Sequence, residues 1–321
     1  MSRGRLRTAV ASGTVERLAH GRYAVPGTLS PSLDVVDSDA WAPSSGLTDG
    51  DERFLRGLLM AHSGACASYQ TAALVHRLPV LGPHEQMHVS GSRLHGSVDG
   101  GYAALHAVDI PPWQRSHVDD IPVTSLARTA VDCARGQSLA AGLVVADAAA
   151  RRILLSRHGD GGDPRDLVRD PSCRATAQAA MEQVLSHQRW TPHIRNARRT
   201  IDMCDPAAES AHESRSRAFL IRSGVPVPVC GMPVVGADGR TYWADMAWPD
   251  HMVLGECDGL GKYVSADVLR REKLRQEVLE AAGWRVVRWT WRDLTPALIA
   301  RLTVALTGST AYVDLSARAS S

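Results

Sequence analysis

The last third of the chain changes its hydrophobic period in one fixed order, and few architectures accept that order. Ser210 to Gly224, SAHESRSRAFLIRSG, carries Ala211, Ala218, Phe219 and Ile221 as apolar anchors on a helix, with Gly224 placed to cap its end. Three strand-like runs follow, PVCGMPVV, TYWADMAWP and MVLGECD, separated by turns at Asp238 with Gly239 and at Pro249 with Asp250. ADVLRREKLRQEVLEAAG then reads as a helix and WRVVRWTW as a closing strand, so the unit is αβββαβ. The tight connection at Pro249 and Asp250 implies an antiparallel hairpin, which sets Asp245 opposite roughly Leu254 to Glu256. Glu256 and Asp258, two apart, point to one face of their strand, and Glu213 on the preceding helix is positioned to reach the same end.

Carboxylates converging at one strand edge repel each other unless a cation neutralises them. Hard oxygen ligands without a Cys or His pair point to Mg²⁺ or Mn²⁺ rather than Zn²⁺. Such an ion activates water and stabilises the charge that develops on a phosphodiester under attack. With no other evident neutraliser, loss of one carboxylate is expected to leave the metal-free fold no less stable. The alternative for Glu256 and Asp258 taken alone is a solvated strand end. Asp250, beside Pro249, makes a literal Pro-Asp pair but lies in the turn, so Asp245 is preferred as the strand aspartate.

The helix glutamate, the strand aspartate, the Glu-x-Asp pair in GECDGLGKY and the continuation EKLRQEVLEAAGWRVVRWTWRDL resemble the very-short-patch-repair endonuclease-like family of the PD-(D/E)XK nuclease superfamily. The resemblance implies a restriction-endonuclease-like core, metal binding by Asp245 and Glu256, and a catalytic set of Glu213, Asp245, Glu256, Asp258, Lys262 and Lys273. Asp258 stands where the superfamily usually carries its lysine, which leaves Lys262, tethered across Gly259 and Gly261, or Lys273, on the next helix, to supply the cation. Lys262 is preferred, because Lys273 has Glu277 four residues on as a salt-bridge partner.

The remainder reads as an α/β, multi-domain chain. Residues 1–27 hold Arg3, Arg5, Arg7, Arg17 and Arg22 against one acid, Glu16, over a short helix and a hairpin, ERLAHGRYAVP, as in a partial winged helix-turn-helix. An acidic linker is expected at 28–52, a mixed α/β domain at 53–156, a helical connector at 157–206, the nuclease-like domain at 207–308 and a tail at 309–321. LRTAVASGTVERLAHGRYAVPG, ASYQTAALVHRLP, IPVTSLARTAVDCARG and VVADAAAR resemble AbiEi-type antitoxins, which implies DNA binding, a regulatory role and a cognate toxin as a partner. The Arg189 to Arg199 stretch, with Arg195, Arg198 and Arg199, is either a phosphate-tracking surface or a solvated helix face.

Arg128 and Asp132 read as an ordinary i,i+4 helix pair without chemistry. In WRVVRWTW, Val287, Trp289 and Trp291 share a face, most simply the core side, and Gly255, Gly259 and Gly261 read as freeing the chain to turn. A net charge of +2 is uninformative about partners, six scattered cysteines read as free thiols in a reducing cytoplasm, and no apolar run approaches a membrane span. The chain is thus expected to be a cytoplasmic, Mg²⁺- or Mn²⁺-dependent DNA endonuclease, with a non-catalytic DNA-binding antitoxin or regulator as the alternative.

Overall fold

The computed structural model describes residues 16–19, 22–24, 46–82, 84, 86–94, 101–158, 163–258 and 266–308. The chain is mixed α/β and divides into two compact units, Met1–Gly159 with Pro171–Cys204, and Asp160–Asp170 with Asp205–Ser321.

In the first unit the expected hairpin forms from β1 (Glu16–Ala19) and β2 (Arg22–Ala24), which pair antiparallel. Helix α1 (Asp49–Ala61) begins inside the segment expected to be linker. Thr48 and Asp51 close a capping box, and Asp49, Asp51 and Glu52 place negative charge on the helix's positive end. Those acids are a helix start rather than linker charge. A five-stranded sheet follows, ordered β5-β4-β3-β7-β6, from β3 (Cys66–Ala67), β4 (Met87–Gly91), β5 (Ala103–Ala107), β6 (Arg115–Val118) and β7 (Ile121–Thr124). The short α2 (Tyr69–Val75) lies between β3 and β4. Phe54, Leu55 and Leu58 of α1 pack against Met87, Val89 and Val123 of the sheet.

Helices α3 (Leu126–Gly136) and α4 (Leu139–His158) complete the expected α/β part of this unit. The expected connector is shared between the units: α5 (Pro164–Arg169) belongs to the second, while α6 (Pro171–His187) and α7 (Ile194–Asp202) belong to the first. Cys173, Ala177, Met181 and Val184 recur along one side of α6 and are buried, which is why it packs rather than bridges.

The second unit has the expected αβββαβ order, as α8 (Ala211–Arg222), β8 (Val229–Val235), β9 (Thr241–Trp248), β10 (Val253–Asp258), α9 (Ala266–Ala281) and β11 (Arg285–Thr290). A further helix, α10 (Pro296–Thr307), follows. The sheet runs β11-β10-β9-β8, antiparallel except for the β10 and β11 pair, which is parallel. Leu220 of α8 and Leu298, Ile299 and Leu302 of α10 pack with Met246, Val253, Val287 and Trp289 on one face of the sheet. Leu279 of α9 packs with Ala247 and Leu254 on the other.

Gly255 has a different role from the one its sequence context suggests. It lies within β10, opposite Met246, and a Cβ there would come within 2.4 Å of the Trp289 ring. The glycine makes room for a buried tryptophan rather than a turn. Gly259 and Gly261 lie outside the described residues. Among the described residues no helix is long and apolar enough to cross a membrane.

Candidate functional site

Three elements of the second unit, α8, β9 and β10, bring three of the four expected acids to neighbouring positions. On α8, Ser210 is the N-cap and accepts from the Glu213 N–H at 3.2 Å, while the Glu213 carboxylate accepts from Ser210 Oγ at 2.7 Å and from the Glu209 N–H at 2.9 Å. This is a capping arrangement, with the glutamate folded back on the helix start. Burial and then the neighbouring Asp245 push the Glu213 carboxyl up to about 8.

Asp245 lies across from Gly231 in the β8–β9 ladder, whose register is the same on both sides of that position. The register passes from Cys230 opposite Met246 to Met232 opposite Ala244, with Gly231 between them at φ +56°. A side chain on Gly231 would be strained in that conformation and would press on the Ala207 carbonyl at 3.2 Å. Asp245 Oδ2 accepts from the Cys257 N–H at 2.7 Å, so the aspartate bridges β9 to β10 just beyond the rung at which Gly255 faces Met246. Burial raises the Asp245 carboxyl, and the Cys257 N–H and Arg275 oppose that rise.

Glu256 is 4% exposed, and burial followed by Asp245 pushes its carboxyl up to about 7. Against these acts a partner on α9: Arg275 donates to both Glu256 oxygens at 3.0 and 3.1 Å and to the Trp243 carbonyl at 2.6 Å. This fork-on-carboxylate pair means that Glu256 has a neutraliser within the chain, contrary to the sequence expectation. Asp258 sits at the open end of β10, 3.6 Å from Arg288, which also holds Glu272 at 3.0 Å. The position the superfamily gives to lysine thus carries an acid with an arginine beside it.

Lys273 does not join the acids: its side chain is 80% exposed and lies 3.9 Å from Glu277, the expected partner. Lys262 falls outside the described residues, as do Arg3, Arg5 and Arg7. Among the described residues no three His, Cys, Asp or Glu side chains stand close enough together to hold a metal. On the first unit, Arg195, Arg198 and Arg199 of α7 are all exposed, and Arg198 pairs with Glu182 at 3.0 Å.

Sequence reasoning missed Arg275 because a helical RREKLRQE run offers several cations and no register against the sheet, and missed Arg288 because the alternation of β11 does not say which acids of its neighbours it meets. It also missed α5, whose Arg165 and Arg169 lie over the Trp243 ring at 5.1 and 5.6 Å, with Arg165 bonded to Glu209 at 3.1 Å. These arginines add positive charge beside the Glu209 to Glu213 segment. Trp289 is buried as the strand alternation implies and donates to Ser216 Oγ at 2.9 Å, whereas Trp291 leaves the strand for a 3-10 turn.

The chain is similar to an uncharacterized protein of Mycobacterium tuberculosis strain CDC 1551 / Oshkosh and to one of strain H37Rv. Each match is 32% identical over 111 residues, covering 35% of this chain and 41% of the relative, so the chain spans less than half the length of the curated relatives it matches. No family model matches the chain, and no solved structure matches it.

Proposed function

We propose that the second unit is a metal-dependent endonuclease domain that hydrolyses phosphodiester bonds of DNA. The observation that carries this reading is the gathering of Glu213, Asp245 and Glu256 from α8, β9 and β10, with the carboxyls of all three raised by burial and the first and last raised further by Asp245. A fold that buries like charges at this cost has a use for them more often than not. Asp245 and Glu256 are hard oxygen donors of the kind Mg²⁺ or Mn²⁺ takes, and the two carboxylates fit such an ion once Glu256 exchanges Arg275 for it. The bound ion would supply activation of water and stabilisation of phosphoryl charge. Arg275, released from Glu256, and Arg288 are then the cations of this chain placed to bind phosphate oxygens, a task the superfamily resemblance gives to lysine.

The Glu256–Arg275 and Asp258–Arg288 pairs favour a second reading. They balance two carboxylates without any metal, as expected if the unit only binds DNA and the chain acts as a regulator of the antitoxin kind. Purified protein incubated with duplex, single-stranded and mismatched DNA separates the two. Cleavage with Mg²⁺ or Mn²⁺ that EDTA abolishes is the expected result; DNA binding without cleavage under any of these conditions gives the regulator reading.

A further inference from the structure

The first unit holds a buried polar network that neither reading uses. Asp132, fully buried on α3, accepts from Arg128 Nε at 2.7 Å and from Gln188 Nε2 at 3.1 Å. Arg128 also donates to Gln114 Oε1 at 2.5 Å. With both Asp132 oxygens engaged, the second guanidinium, that of Arg135, approaches the carboxylate only to 3.9 Å. Arg135 instead donates to two neutral acceptors, Gln188 Oε1 at 3.1 Å and the Tyr69 hydroxyl at 2.5 Å. Two guanidinium charges therefore share one carboxylate, and the surplus positive charge sits on Arg135, whose side chain is 13% exposed.

At the outer side of Arg135 stand two imidazoles and a phenol. His88 of β4 and His106 of β5 share a hydrogen bond between Nδ1 and Nε2 at 3.0 Å with their rings stacked at 5.3 Å, and Tyr69 lies 4.4 Å from the His106 ring. Burial lowers the affinity of both imidazoles for protons, that of His88 to about 4. Two neutral imidazoles joined by one N–H retain one further N–H and one further lone pair between them. Tyr69, accepting from Arg135, keeps its own O–H to donate. Its backbone is in the left-handed region at φ +51°, a cost that the surroundings must impose on a non-glycine residue.

We propose that Tyr69, His88, His106 and Arg135 form a binding site for a phosphate group, carried by a free nucleotide or by the end of a nucleic acid. An anion supplies the charge that Asp132 cannot give to Arg135. The four side chains come from α2, α3, β4 and β5 and neighbour one another around the Tyr69 ring, and donors drawn from four elements suit four tetrahedral oxygens better than a planar carboxylate. A bound phosphate also favours a second proton on the imidazole pair, turning its outward lone pair into another donor. The site is independent of the acids in the second unit, and its failure leaves the nuclease reading untouched.

The test uses the full chain and long-range ¹H–¹⁵N imidazole spectra, titrated with inorganic phosphate, adenosine monophosphate, and matched oligonucleotides with a 5′-phosphate or a 5′-hydroxyl. The expected result is that phosphate moves the His88 and His106 resonances and raises the pH at which both titrate. Arg135→Gln should weaken binding about tenfold or more, as befits loss of a charge-assisted fork. Preference for adenosine monophosphate identifies a nucleotide, and preference for the 5′-phosphorylated strand over the hydroxyl form identifies a nucleic-acid end. Imidazole resonances that stay in place with every phosphate compound overturn the proposal in the wild-type protein, whether or not the variant folds. Equal binding of the two oligonucleotides with inorganic phosphate and adenosine monophosphate both silent does so as well.

Discussion

The two units solve opposite versions of one electrostatic problem. Around Asp132 in the first unit, one buried carboxylate faces two guanidiniums, and side-chain amides take up the remaining donors and acceptors. Around Asp245 in the second, itself partly buried, two buried glutamates are gathered, with Arg275 as the direct partner of one of them. A buried ion is costly wherever it lies, so the sign of the surplus indicates what each region is prepared to accept. The first has positive charge to give to an anion. The second has crowded carboxyls whose protons a cation would displace.

The largest effect expected from this contrast is on activity. Asp245→Asn and Glu256→Gln each remove a proposed metal oxygen and are expected to reduce DNA cleavage by several orders of magnitude, on the order of 10³-fold or more for loss of one essential electrostatic group. Gel-based cleavage kinetics with Mn²⁺ measure it. Undiminished rates in both variants would place the chemistry elsewhere and reduce the second unit's acids to structure.

Stability sharpens the comparison next. Asp132→Asn strands Arg128 in the core and is expected to cost about 3–5 kcal/mol, the usual penalty for breaking a buried pair from one side. Glu256→Gln is expected to cost far less than that, because burial and Asp245 hold the Glu256 carboxyl up to about 7 despite the Arg275 fork, and Arg275, 21% exposed, retains the Trp243 carbonyl. Urea melts of both variants check it, and a Glu256→Gln protein as destabilised as Asp132→Asn would mean that the Arg275 fork outweighs the cost of burying the carboxylate.

A smaller effect follows for Glu213, whose carboxyl accepts from two neutral donors, Ser210 Oγ and the Glu209 N–H. Its folded carboxyl titrates near 8 against an ordinary 4.5, so between those values the folded state holds a proton that the unfolded state has released. Stability must then fall as pH rises through that window. Glu213→Gln keeps the shape and removes the titration. It is expected to melt higher than wild type at pH 8 and equally at pH 4.5, which calorimetry at the two pH values measures. A variant that loses stability at pH 8 would show instead that the charged form is needed to hold the Glu209 and Ser210 donors.

Much of the second unit was legible because each element there obeys a local rule. The helix spacing before Gly224, the Asp238–Gly239 turn and the alternation of WRVVRWTW gave the element order, and the hairpin register placed Asp245 beside Glu256. What the sequence hid was distance across elements. No local pattern says that Arg275 reaches over the sheet to Glu256, or that Arg128 and Asp132, spaced like a surface pair, are almost wholly buried beside Gln114 and Gln188. The β6–β7 hairpin was missed for another reason: its two-residue turn, Asp119–Asp120, adopts positive φ at both positions without the glycine that usually marks such a turn.

The smallest effect concerns the cation of the proposed site. Lys273 and Arg275 are two apart on α9, and helical geometry sends their side chains in different directions. Lys273 projects into solvent towards Glu277, whereas Arg275 is drawn in by Glu256 and the Trp243 carbonyl. Lys273→Ala is therefore expected to change stability by no more than about 0.5 kcal/mol, as for an exposed i,i+4 pair, and to leave turnover within about twofold. Arg275→Ala, made beside it, is expected to lower turnover more strongly than DNA affinity, as befits a donor whose contact strengthens as charge develops on the phosphoryl group. Single-turnover kinetics and binding titrations on the two variants separate these roles. If Lys273→Ala loses turnover while Arg275→Ala keeps it, the helix lysine is the catalytic cation, and the Arg275 fork is structural in the same sense as the Arg128 fork of the first unit.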